Sequence, residues 1–333
     1  MSSAPGPEEI ARDACWLAQA LDPSAGVARL VAMDEQAYRV ASFLDDRLMQ
    51  QVVDAQLVPW PLIDTAMAGD FRQDARWIFH IGHVGSTLVS RLLGELDGVL
   101  ALREPRLLRD LALSPPEVRS PYLPPVAKLM SRTFGPGETA CVKATSFASE
   151  IAHQLVPEGQ RALFMFATPG NYIASILAGE NSVRELHMLA PSRAHRLQRH
   201  VSALGPARSD ADLAAIAWAC EMTALEAAAD AMPNIDWADF DHMLTDMTSE
   251  LARVCRFFGF DADPERLRAI AEGPLVRRYS KALEYDYSAQ LRRELIEEAT
   301  AEHGEAIRSA LAMLHAAAEK SPLLARALAR AES

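Results

Sequence analysis

Between residues 76 and 258 the chain alternates two patterns. Short, predominantly apolar runs occupy 77–81, 99–102, 139–143, 161–167 and 235–238. Between them lie longer stretches whose apolar positions recur every three to four residues, such as Leu88, Leu92, Leu93 and Leu96. The short runs are bounded by charged residues, Gly or Pro, and their length predicts strands buried on both faces; the longer stretches predict amphipathic helices. Strands that alternate with helices imply an α/β protein with a parallel sheet covered on both faces. Further helices are expected at 107–113, 126–134, 149–155, 171–178, 182–204, 211–231 and 244–258, with a proline-rich loop at 115–125. Segments 264–271, 287–301 and 306–330 predict a largely helical C-terminus.

Upstream of the first strand, Ile10, Ala14, Leu17, Ala18 and Leu21 fall on one face at three–four spacing behind Pro7. Tyr38, Val40, Ala41, Phe43 and Leu44 follow Asp34 in a similar way. Residues 7–49 therefore read as helices, and 54–75 as a mixed segment.

Composition narrows the function classes. The 333 residues are 50% apolar and 23% charged, which is ordinary for a globular chain and excludes disordered or fibrous classes. A net charge of −12 disfavours nucleic acid and anionic membrane as partners, but does not oppose a small anion in one local pocket. The N-terminus lacks the basic and apolar regions of a signal peptide, and no uncharged run reads as a membrane span. Cys15, Cys141, Cys220 and Cys255 have no metal-ligand spacing and read as reduced thiols. A cytoplasmic location is expected. Of the 33 basic residues, Lys128, Lys143, Lys281 and Lys320 are the lysines, so a lysine at a strand end draws notice.

The loop after the first strand, His80-Ile81-Gly82-His83-Val84-Gly85-Ser86-Thr87, joins a strand to a helix through glycines. That geometry presents backbone N–H groups and a helix N-terminus to an oxyanion. It is not a Walker A loop: Ser86 stands where the lysine belongs and His80 where the first glycine belongs. A plain strand–helix turn with Ser and Thr caps is the bland alternative. His80 reads as a packed strand residue, and Arg184, Arg193, Arg196 and Arg199 as a solvated helix face or, alternatively, as the source of a cation that position 167 lacks.

The run from Phe79 to Leu93, followed by Val99 to Pro105, resembles the sulfotransferase superfamily. Gly85-Ser86-Thr87-Leu88 matches the second half of that family's [RK]-S-G-[ST]-T-L loop, with His83 at its basic position and Val84 at its first serine. Glu104 after the second strand matches the family's base for the acceptor hydroxyl. Lys143 at the end of the third strand matches a lysine beside the transferred group. Ser175 falls at the spacing of a 3′-phosphate ligand, whereas Ala167 replaces the partner arginine. Residues 235–240 and 251–259 resemble two further family segments. Residues 277–281, with Arg278 and Lys281, resemble the basic stretch that closes over the donor PAPS.

The resemblance covers roughly 76–285. It implies a P-loop-type, sulfotransferase-like α/β core at 76–285, a helical N-terminal extension at 1–75 and C-terminal helices at 286–333 packed on the core. It also implies transfer of a sulfuryl group from PAPS to a hydroxyl or amine, without a metal. Glu104, Lys143 and His83 would be catalytic. His83, Val84, Gly85, Ser86, Thr87, Ser175, Arg278 and Lys281 would hold the donor. The acceptor, a small molecule or peptide, is not legible, and neither is the oligomeric state. Segments 115–125 and 182–204 are candidate acceptor walls. The alternatives are group transfer from an ATP-type nucleotide without a 3′-phosphate, and a non-catalytic homologue that keeps the fold.

Overall fold

A computed structural model describes residues 4–50, 54–201, 203–280 and 286–332. Among them two sheets form. The first holds β1 (Trp16–Asp22), β2 (Val27–Ala32) and β3 (Ala55–Pro59), all antiparallel. The second holds β4 (Arg76–His80), β5 (Val99–Arg103), β6 (Thr139–Lys143), β7 (Ala162–Phe166) and β8 (Ile235–Asp239), in the order β5-β6-β4-β7-β8. All its pairings are parallel. These are the five strands expected from the apolar runs. The interior strand β7 is buried at every position because helices cover both faces.

The chain leaves β4 toward β5 and β6 on one side, and later returns to β7 and β8 on the other. β4 therefore stands at the point where strand order reverses, and a crevice opens beyond the carboxyl ends there. The helix Ser86–Leu93 follows β4 directly. The helix Asp210–Ala229 is buried around most of its surface. It packs against the helices Pro169–Leu177, Glu180–Leu197, Ala289–Ala318 and Pro322–Ala331.

The N-terminal segment differs from the helical expectation. Residues 16–32 form a hairpin, and among the described residues α-helices are limited to Pro7–Arg12, Glu35–Val40 and Trp60–Ala66, with a single 3₁₀ turn at Leu48–Gln50. The run Leu17–Leu21 is buried without interruption. Such a run satisfies helical spacing and a buried strand equally, so periodicity alone does not separate them. The chain reverses through Asp22–Gly26, where Gly26 takes φ 63° and Asp22 accepts from the backbone of Ser24 and Ala25. That reversal sets the hairpin.

Arg103, at the end of β5, fastens this segment to the parallel sheet. Its guanidinium donates to the carbonyls of Ala41 (2.8 Å) and Tyr38, and its own carbonyl accepts from Leu44 N at 2.7 Å. Burial without a carboxylate partner pushes its pKa down to about 9. The tether carries Phe43, Asp45 and Arg47 to the carboxyl edge of the sheet.

The proline-rich segment 115–125 is not an open loop. It winds into Pro116–Arg119, Ser120–Tyr122 and the start of Leu123–Met130. Proline suits the first turn of a helix, where the missing N–H has no intrahelical partner. At the C-terminus, residues 289–318 run as one helix kinked at His303 (φ −110°). No described helix is long and apolar enough to cross a membrane.

Candidate functional site

A cleft of about 730 Å³ opens at the carboxyl ends of β4, β5 and β6. Its floor is the loop after β4. Gly82, His83 and Gly85 all take left-handed φ, at 84°, 55° and 59°. Gly85 caps the helix Ser86–Leu93, and a Cβ there would lie 1.9 Å from Phe240 Cε2. Only glycine meets both demands. The loop is thus held tight against the sheet, with the Val84, Ser86 and Thr87 side chains buried. Val84, assigned to donor binding by the resemblance, offers that cleft its backbone: its side chain is fully buried. Gly82 N donates to His80 Nδ1 at 3.0 Å, which assigns the His80 proton to Nε2. His80 does more than pack, because that Nε2 lies 3.8 Å from Glu104 Oε1 within the cleft.

The opposite wall begins with Glu104, directly after β5. Its φ of 57° is left-handed, and its N–H donates to Lys143 O at 2.7 Å. Lys143, 1% exposed, donates from Nζ to Glu104 Oε1. Arg47 Nη2 stands 3.5 Å from Glu104 Oε2 and 2.5 Å from Asp45, with its guanidinium 3.2 Å above the Phe43 ring centroid. Among the described residues, His83 and Glu104 are the non-glycine positions with left-handed φ. Such backbone costs about 1–3 kcal/mol and gathers at ligand clamps and active sites. Here both residues face one cleft.

The wall below β7 is built differently. Ala167 is fully buried and its carbonyl accepts from Trp218 Nε1 at 3.0 Å, so the end of this strand presents no cation. Ser175 lines the cleft, but it lies in the last turn of the helix Pro169–Leu177 rather than at its start. Its Oγ donates to Tyr172 O at 2.9 Å. Arg278 lines the cleft and donates to Asp286 at 2.8 Å. Lys281 lies outside the described residues.

Residues 182–193 do form cleft wall, through Ser182, Glu185, Met188, Leu189 and Arg193; residues 115–125 do not. The arginines of this helix are not one solvated face. Arg184 is 72% exposed at its side chain, whereas Arg193 and Arg196 are buried. Arg196 donates to both oxygens of the fully buried Glu221, at 3.0 and 3.1 Å, and to Glu150 at 3.0 Å. Burial works against the Arg196 charge, but Glu221 outweighs it and holds the pKa above the ordinary value. Glu150 is pulled below its ordinary value; burial opposes this, and His200 and Arg196 overcome it.

Sequence reasoning missed Arg47 and Arg292, and weighed Arg193 as a missing cation only as the alternative to a solvated face; the structure places it at the cleft. Arg47 reaches the site only through the N-terminal tether. Arg292 comes from the helix Ala289–Ala318, which lies across the loop. Its Nε donates to Asp241 at 2.7 Å and its Nη1 to His83 O at 3.4 Å. One available signal was Glu221, which with Glu226 interrupts the apolar stretch of Asp210–Ala229: a carboxylate buried there needs a cation.

No protein-family model and no curated protein matches the chain. Solved structures similar to the chain at low identity include three sulfotransferases. The sulfotransferase domain from the curacin biosynthetic pathway is 12% identical, with a TM-score of 0.42, over 69% of this chain and 91% of that one. Mouse sulfotransferase SULT7A1 complexed with PAP is 11% identical, with a TM-score of 0.40, over 78% and 90% of the two chains. The sulfotransferase domain from the Synechococcus PCC 7002 olefin synthase is 14% identical, with a TM-score of 0.39, over 69% and 98%.

Proposed function

We propose that the protein transfers a sulfuryl group from PAPS to a hydroxyl or amine. One observation carries the reading. A carboxylate, a buried ammonium and a glycine loop at a helix N-terminus, drawn from the ends of three adjacent strands, line a single cleft, and the two non-glycine residues with left-handed backbone both belong to it. Bound PAPS supplies an activated sulfuryl group on a phosphate leaving group.

The chain's residues divide the remaining work. The N–H groups of Gly85, Ser86 and Thr87 and the Ser86 and Thr87 hydroxyls bind oxyanion. Lys143 offsets the negative charge that gathers on equatorial and leaving oxygens in an in-line transfer. Glu104 accepts the proton of the attacking hydroxyl or amine. Its contact with Lys143 fixes the carboxylate, and Arg47 restrains its second oxygen. His83 shapes the loop. The fit to the donor is uneven: the loop and Lys143 suit a phosphosulfate, while Ala167 leaves the second phosphate without the arginine that the resemblance implies.

The test is transfer of radiolabelled sulfuryl group from PAPS to a panel of alcohols and amines. Wild-type protein is expected to label at least one acceptor. Glu104→Gln is expected to abolish labelling while leaving PAP affinity unchanged. Undiminished labelling by Glu104→Gln would remove Glu104 as the base, and labelling of no acceptor class would contradict the reading.

A further inference from the structure

The loop that forms the cleft floor has no lysine or arginine, so the charge for an oxyanion must come from elsewhere. We infer that Arg193 and Arg292, from two helices outside the loop, supply it and together complete an oxyanion site beside His83. This rests on the reading of the loop as an oxyanion cradle.

Each arginine has a buried N–H outside hydrogen-bond geometry: Nε of Arg193, which stands 3.5 Å from Glu221 Oε1, and Nη2 of Arg292. Both residues line the cleft. Arg193 is 6% exposed, and a buried guanidinium donor left unmade is costly unless a ligand completes it. Its counter-ion is shared with Arg196. The buried carboxylates nearby are Glu221 and Glu150. Glu221 already receives two hydrogen bonds from Arg196 and stands 3.5 Å from Arg193; Glu150 receives Arg196 and neighbours Arg199 at 3.6 Å. Two buried arginines, Arg193 and Arg196, thus face these two carboxylates, and Arg193 has the looser pairing. A bound anion would complete that partial pairing.

Arg292 touches the loop directly, and Arg193 neighbours it through Tyr172. Arg292 donates to the His83 carbonyl, and the His83 ring meets the Tyr172 ring edge-on at 6.3 Å. Tyr172 in turn lies within electrostatic reach of Arg193. Arg292 is held by Asp241 through Nε, which leaves the Nη2 edge of its fork for a ligand. The chemistry recognised is a tetrahedral oxyanion, phosphate or sulfate, free or terminal on a larger molecule.

Calorimetric titration of the full chain with inorganic pyrophosphate, and separately with PAP, tests this. Wild-type protein should bind pyrophosphate, and Arg193→Gln and Arg292→Gln should each weaken it about ten- to a hundred-fold. Arg193→Lys and Arg292→Lys keep the charge without the fork and should fall between, which guards against a glutamine variant that fails to fold. Asp241→Asn separates anion binding from tethering. It removes the ion pair but keeps the guanidinium, so pyrophosphate affinity should hold or rise. Absent pyrophosphate binding by the wild type, wild-type affinity in both glutamine variants, or an Asp241→Asn loss equal to that of Arg292→Gln would each overturn the inference. Binding of pyrophosphate without PAP would uphold these two arginines and overturn PAPS as the donor.

Discussion

The two walls of the cleft are built on different plans. On the β5–β6 side, Glu104 and Lys143 follow or end adjacent strands, and one backbone hydrogen bond joins them directly. The sheet itself sets their distance. On the β7 side, Ala167 follows its strand with its carbonyl occupied by Trp218, and the arginines that line the cleft there, Arg193 and Arg292, come from helices packed outside the sheet. The first wall is fixed by strand register, the second by how helices dock. Chemistry that depends on sub-ångström placement belongs on the first. Charge that need only be near tolerates the second.

This contrast is open to breakage in order of expected effect. Lys143→Ala strikes the sheet-built wall. It removes the ammonium and leaves Glu104 without its fixed neighbour, and turnover with PAPS should fall about a thousand-fold or more. Steady-state kinetics would check it; a loss below about ten-fold would mean that the strand-end pair is structural.

Arg196→Met strikes the foundation of the other wall. Glu221, fully buried, loses its bidentate partner, and stability measured by urea denaturation should fall by about 3 kcal/mol. Arg193, 3.5 Å from Glu221, is then drawn toward it and oxyanion affinity should drop as well. The same network responds to acid. Glu150 has a folded pKa below its unfolded value, so its contribution is complete above about pH 4.3 and fades as pH falls through the lower, folded value. Acid denaturation of Glu150→Gln should therefore be less steep than that of the wild type; an unchanged profile would place the acid sensitivity elsewhere.

Ser175→Ala is expected to be the mildest. Because the Ser175 hydroxyl already donates to Tyr172 O, donor affinity should fall by less than about five-fold. A loss as large as that of Lys143→Ala would mean that this wall is as exacting as the other.

The same division explains what was legible in the sequence. The five parallel strands were, because each is a short apolar run bounded by charge, Gly or Pro. The residues at their ends followed in turn: His83, Gly85, Ser86, Thr87, Glu104 and Lys143 all line the one cleft. The N-terminal hairpin was not legible, since the continuous burial of Leu17–Leu21 matches two periods at once. Arg47 and Arg292 were hidden, and Arg193 left between two readings, for another reason. Each reaches the site from an element whose docking is a tertiary event: the Arg103 tether, the Arg196–Glu221 network and the Asp241 contact. Local spacing carries no trace of these, although Glu221 within an apolar helix marks that a buried cation is required.

The central claim is that the strand-end pair and the glycine loop form a donor site for PAPS. Calorimetric titration of the wild type and Lys143→Ala with PAP, beside ATP with Mg²⁺, tests it most directly. The account predicts PAP affinity of about micromolar, near 8 kcal/mol of binding energy, weakened at least about ten-fold in Lys143→Ala. Magnesium-dependent ATP binding with no binding of PAP would contradict it.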